Sequence, residues 1–128
     1  MHVLLWILQI VLGVYFFVTG LMHFIVPPGL PEPMAWMYEL PPALHVLSGV
    51  AEILAGLGLV LPGLTRIQTR LTPLAAAGLV LVMLGAAIWH LGRGEYPNIG
   101  MNILLGAVAA FVAYGRWRLQ PLRDRTRA

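Results

Sequence analysis

Four long apolar runs alternate with short polar breaks along the chain, and this rhythm predicts the architecture. The first run covers about residues 3–26 and is interrupted only by Gln9, Thr19 and His23. The second spans about 43–61, the third about 73–91 and the fourth about 99–115. At 1.5 Å of rise per residue, about 20 such residues cross a hydrocarbon core of roughly 30 Å. Proline and glycine supply the punctuation. Pro27 and Pro28 end the first run, Pro41 and Pro42 open the second, Pro62 and Gly63 close it, and Gly92 and Gly94 flank Arg93 after the third. Six prolines between positions 27 and 42 exclude a helix interior there and leave room for one short interfacial turn over about 34–40. The expected fold is all-α: an integral membrane four-helix bundle, a single domain over 1–128, with a polar tail at 116–128.

Composition supports the bilayer as solvent. The chain has 128 residues, 59% hydrophobic and only 10% charged, whereas soluble domains carry about 25% charged residues. The eight basic residues are all arginine, and they orient the bundle. Arg66 and Arg70 sit in the loop after the second run, and Arg116, Arg118, Arg123, Arg125 and Arg127 sit in the tail. The other loops hold only Arg93, beside Glu32, Glu39 and Glu95. Loops rich in arginine stay in the cytoplasm, so both termini and the middle loop are expected there. Nucleic acid is not an expected partner, because the arginines separate apolar blocks instead of interleaving with exposed aromatics. The bilayer is. The chain contains no cysteine, which excludes disulfides, thiolate nucleophiles and cysteine-ligated metal centres. The first run is too long for a signal-peptide core of roughly 7–15 residues and reads as an uncleaved helix.

Given that orientation, the polar residues inside the runs collect toward the outer face. His23 ends the first helix; His45, Ser48 and Glu52 descend from the start of the second; His90 closes the third; Asn98 and Asn102 open the fourth. Asn98 is placed to cap that helix and Asn102 to bond across helices. Gln9 alone lies toward the other face. Helical spacing aligns Gln9, Gly13, Phe16, Gly20 and His23 on one stripe, and His45, Gly49, Glu52 and Gly56 on another. Small residues let membrane helices approach closely, so both stripes are expected to face the bundle interior with His23, His45 and Glu52 on them. A lone charge at the depth of Glu52 costs at least about 2.5 kcal/mol, so this group pairs, takes up a proton or faces water. A structural hydrogen bond between helices is the plainer role; a proton carrier or ligand is the functional one. Each histidine taken singly is an interfacial or packing residue. Together with Glu52 they suggest a metal, haem or quinone site, although no HxxxH or HExxH spacing selects a metal.

No P-loop, dinucleotide-binding fingerprint, nucleophile elbow or EF-hand is present. One family pattern is. Gly20, His23, Phe24 and Pro27 spell G-x-x-H-F-x-x-P, and Ser48, Gly49, Glu52 and Gly56 spell S-G-x-x-E-x-x-x-G. With Pro62 and Arg66 in the following turn, and the ending Phe111, Tyr114, Gly115, Arg116 and Trp117, the chain resembles the DoxX-like membrane proteins. The resemblance implies a four-helix protein of the bacterial inner membrane, from a family linked to terminal oxidase and thiosulfate:quinone oxidoreduction. It lands on His23 and Glu52 as the acting residues, the pair that the stripes select; His45, His90, Ser48 and Asn102 are candidate binding residues from their place in the outer-half cluster and not from the resemblance. It leaves the cofactor open between a quinone and a haem. The redox cysteines of some distant relatives have no counterpart here. The leading expectation is a redox-linked accessory subunit that handles a quinone or protons. Its alternatives are a haem- or metal-binding membrane enzyme for a small apolar substrate, and a structural subunit of a larger complex or homo-oligomer.

Overall fold

In a hydrocarbon environment the helix is the local structure that satisfies every backbone N–H and C=O within its own segment. All four apolar runs adopt it. The computed structural model describes residues 1–125, with α1 at His2–Phe24, α2 at Pro42–Thr65, α3 at Leu71–Arg93 and α4 at Tyr96–Tyr114. Arg127, counted above among the tail arginines, lies outside the described residues. Each helix is long and apolar enough to span a bilayer, and the outward faces carry exposed Val11, Leu54, Leu81 and Ile103. The helices run up and down in sequence order. The start of α1, the α2–α3 turn and the end of α4 therefore share one end, here called proximal, and the two other connections share the distal end.

The element boundaries differ from the sequence expectation in instructive ways. α2 does not stop at Leu61 but runs through Pro62 to Thr65. Proline lacks the N–H that would bond the carbonyl of Gly58, one turn earlier. That orphan is satisfied from another helix: the Thr72 hydroxyl donates to the Gly58 carbonyl at 2.8 Å. α3 starts at Leu71 and holds Pro73 in its first turn, where a missing N–H costs nothing. α4 begins at Tyr96, so Asn98 lies inside the helix and does not cap it; Glu95 occupies the cap position. The proline-rich connection contains a 3-10 helix, Glu32–Tyr38, rather than a turn over 34–40. Beyond Tyr114 the chain continues as a π turn, Gly115–Leu119.

The glycine stripes set how closely α1 and α2 approach. Gly13 meets Gly56 and Gly20 meets Gly49, in antiparallel register. A Cβ on Gly56 would stand 2.7 Å from the Gly13 carbonyl oxygen, and one on Gly20 would stand 2.9 Å from the Ile53 nitrogen. Neither fits without moving a backbone. α3 packs on α2 and α4, while α1 and α4 touch sparsely. A core of Leu5, Leu12, Phe16, Leu59, Ala76, Leu79, Ala109 and Val112 fills the proximal half and the middle. There Gln9 joins three helices: it donates to the Leu59 carbonyl at 2.8 Å and accepts from Arg116 Nε at 2.5 Å. The distal half is built differently. No residue of α4 between Tyr96 and Val108 is fully buried, and the four helices there surround a cavity instead of a packed core.

Candidate functional site

The cavity occupies about 820 Å³, at the upper end of the roughly 300–1,000 Å³ typical of small-molecule sites. Its walls are mostly apolar and aromatic, with Phe16, Leu47, Met83 and Trp89 among them, and its distal end is closed by the 3-10 helix. Pro31 at the N-cap and Pro33 at N2 of that short helix preset its backbone. Side chains fix it over the cavity. Asn98 donates to the Pro33 carbonyl at 2.9 Å, the Tyr38 hydroxyl donates to the Pro27 carbonyl at 2.6 Å, and Arg93 pairs with Glu39. The Trp36 ring reaches inward, with ring centres 5.0 Å from His90, 6.0 Å from Trp89 and 6.2 Å from His23.

One wall carries a continuous chain of polar contacts. The Thr19 hydroxyl donates to Glu52 Oε1 at 2.7 Å. Glu52 Oε2 lies 3.1 Å from His23 Nε2, and His23 Nδ1 lies 3.0 Å from His45 Nδ1. His45 Nε2 ends the chain 2.8 Å from the Met37 carbonyl in the 3-10 helix. His23 and Glu52 are both buried, at 7% and 5% exposure, which settles that they face the interior and not lipid.

Hydrogen bookkeeping along this chain is restrictive. A carbonyl oxygen only accepts, so His45 Nε2 must carry a hydrogen. The His45–His23 contact holds one hydrogen, and the His23–Glu52 contact holds one. Three arrangements satisfy all the links with chemically ordinary groups: protonated Glu52 with both imidazoles neutral, a Glu52 carboxylate with a His23 imidazolium, or a Glu52 carboxylate with a His45 imidazolium. Each is net neutral. A proton can therefore shift between Glu52 and His45 without placing net charge in the apolar wall, where an uncompensated charge would be costly.

The remaining sequence candidates line the same cavity but stand outside this chain. His90 does not join the chain: its Nδ1 lies 2.9 Å from Glu95, and its ring packs edge-on against Trp36 and Trp89 on the opposite wall. Arg93 adds a second contact to Glu95 at 3.0 Å and stacks over Trp89. Partial burial alone would raise the Glu95 carboxyl. The hydrogen bonds from His90 and Arg93, with the Arg93 charge, outweigh it and hold the group below the usual carboxylate range. Ser48 and Asn102 line the cavity. Asn102 Nδ2 contacts Met83 Sδ at 3.6 Å, while its Oδ1 is shielded from solvent and has no partner among the described residues. A buried acceptor left open costs about 1–3 kcal/mol, and a ligand hydroxyl in the cavity would remove that cost.

Two contributors were missed from sequence. Thr19 was read only as an interruption of an apolar run, although it lies one turn before His23 and so shares its face. Trp36 lies in the proline-rich connection, where no local pattern turns it inward. Among the described residues no three His, Asp or Glu side chains gather as a metal-binding group. Both ring nitrogens of His23 and of His45 are engaged by protein partners, so neither is poised as a haem or metal ligand.

The comparisons agree with the architecture. A family model described as the DoxX-like family matches residues 7–112. No curated protein and no solved structure matches the chain.

Proposed function

This chain belongs to the DoxX-like family, and from that premise we propose that it is a redox-linked accessory membrane protein whose distal cavity holds a quinone-type ligand. The observation that carries the reading is the Thr19–Glu52–His23–His45 chain running along the wall of a large apolar cavity. A quinone needs such a combination: apolar walls for its ring and tail, and hydrogen-bonding groups for its two oxygens. When bound, the ligand supplies the two-electron chemistry, accepting two protons on reduction or releasing two on oxidation. The electrons pass to or from a redox partner in the same membrane.

The protein's own residues do the rest. Glu52 exchanges a proton with a ligand oxygen, His23 relays it, and His45 refills or drains the pair from the distal side. Asn102 Oδ1, which lacks a donor, accepts from a ligand hydroxyl. Trp36 and Trp89 flank the ring and keep water from the proton path. The sparse contact between α1 and α4 leaves the seam beside the cavity as the route from the bilayer. The arginine-rich proximal end lies in the cytoplasm of a bacterial inner membrane, so the site works from the outer half.

Protein in lipid nanodiscs, titrated with a short-chain benzoquinone while tryptophan fluorescence is followed, tests this. Saturable quenching is expected, weakened by Asn102→Leu, with Glu52→Gln abolishing the proton uptake that accompanies reduction of the bound ligand. Unsaturable quenching, or quenching indifferent to Asn102→Leu, would remove the quinone reading.

A further inference from the structure

A second pocket, of about 780 Å³, lies at the proximal end and is unrelated to the distal cavity. The chain after α4 builds it by folding back across the α2–α3 turn. The Arg125 N–H donates to the Arg66 carbonyl at 2.8 Å, and the Thr69 N–H donates to Asp124 Oδ1 at 2.9 Å. The Thr69 hydroxyl lies 2.6 Å from the same oxygen and 3.1 Å from the Leu122 carbonyl. Two segments about fifty residues apart in sequence are thereby locked together, and Arg70 and Arg123 line the same pocket from the two of them.

Charge and position define what fits. Arg70, Arg116 and Arg123 line the pocket, with Asp124 as the acid among its lining residues. Arg116 is buried at 2% exposure and committed to Gln9, to the Gln120 carbonyl at 2.8 Å and to His2 Nδ1 at 3.1 Å. It contributes field rather than free donors. Arg70 and Arg123 are exposed and make no hydrogen bond or ion pair with another described residue, so their guanidinium forks are available. Such forks match the paired oxygens of a phosphate. Trp117, 56% exposed, stands beside them where the last apolar helix ends. That is the level at which tryptophan settles among lipid headgroups.

We propose that this pocket binds a phosphate-bearing anion, namely the headgroup of an acidic phospholipid in the leaflet on the proximal side. The headgroup phosphate sits between Arg70 and Arg123, Trp117 lies along the glycerol region, and the acyl chains follow the apolar outer faces of the helices. The lipid thereby holds the folded-back tail against the α2–α3 turn. A soluble phosphate shares the recognised chemistry, but the pocket lies where four apolar helices leave the bilayer, and a lipid is already concentrated there.

Native mass spectrometry of the full chain released from detergent tests the proposal, with phosphatidylglycerol, phosphatidylcholine and inorganic phosphate as probes. Phosphatidylglycerol should be retained about tenfold more than phosphatidylcholine, and the preference should vanish in Arg70→Gln/Arg123→Gln. The Arg70→Lys/Arg123→Lys chain keeps the charge and should retain part of the preference; it also serves if the glutamine variant does not fold. Retention of inorganic phosphate with no lipid preference, again lost in the glutamine variant, would assign the site to a soluble phosphate compound. Equal retention of all three probes, or a preference unchanged in both variants, overturns the site.

Discussion

His23 Nε2 lies 3.1 Å from Glu52 Oε2 across the glycine-lined interface of α1 and α2, and both side chains are buried. The pair shares one hydrogen, and His45 extends it toward the distal surface. Glu52→Gln keeps the shape and the contact to Thr19 but fixes the hydrogen on an amide that cannot pass it on. The variant should insert and fold normally while losing proton-coupled function. Glu52→Leu instead leaves His23 with an open polar group in an apolar wall, while Thr19 keeps the Phe16 carbonyl as acceptor, and should cost about 2–4 kcal/mol. Thermal unfolding in detergent separates the two. A leucine variant as stable as the parent, with unchanged activity, removes Glu52 from the site.

The close approach of α1 and α2 is the condition for that pair. Gly56→Ala puts a methyl group 2.7 Å from the Gly13 carbonyl oxygen, and the helices must separate or tilt. A loss of about 1–3 kcal/mol is expected, together with a lengthened His23–Glu52 contact. Gly78→Ala is the control, since a Cβ there meets nothing within 4 Å. The comparison of melting temperatures should show a clear drop for the first and none for the second.

Glu95 lies outside the membrane-spanning segments, and its carboxyl is held below the usual range by His90 and Arg93 despite partial burial. A depressed folded-state pKa contributes stability that is present above the unfolded value and lost as pH falls through the folded one. Acidification below the ordinary carboxylate range should therefore loosen the link from α3 through Arg93 to Glu39 of the distal cover. Glu95→Gln should remove this component of acid sensitivity. Melting temperatures of the two proteins, measured from neutral pH downward, should converge. A constant gap at all pH values would dismiss the ion pairs as its source.

The proposed membrane orientation rests on the distribution of the arginines. A reporter active only in the periplasm should be silent when fused after Ala128 and active when inserted between Gly94 and Glu95. The opposite pattern would place the distal cavity on the cytoplasmic side and the arginine pocket in the outer leaflet.

Hydropathy and punctuation by themselves determined four spanning helices, their order and their approximate ends, because in lipid each segment must satisfy its own backbone and so answers to local composition. The stripes Gly13–Gly20–His23 and Gly49–Glu52–Gly56 were legible for the same reason: helical periodicity assigns a face before any partner is known. Those stripes also made the meeting of His23 with Glu52 an expectation. The family pattern on the same residues pointed to the site without defining its shape. Tertiary structure decided the rest. Pro62 stays inside α2 because a hydroxyl from α3, Thr72, accepts the role of the missing N–H. His90 leaves the His23–Glu52 chain for Glu95, although its position in sequence placed it at the same end of the bundle. Asn98 gives up a capping role to hold Pro33. The cavity between the distal halves, the inward turn of Trp36 and the clasp between Thr69 and Asp124 all depend on contacts between segments far apart in the chain. Each is set by which surfaces meet when the helices pack, a relation that no single run of residues encodes.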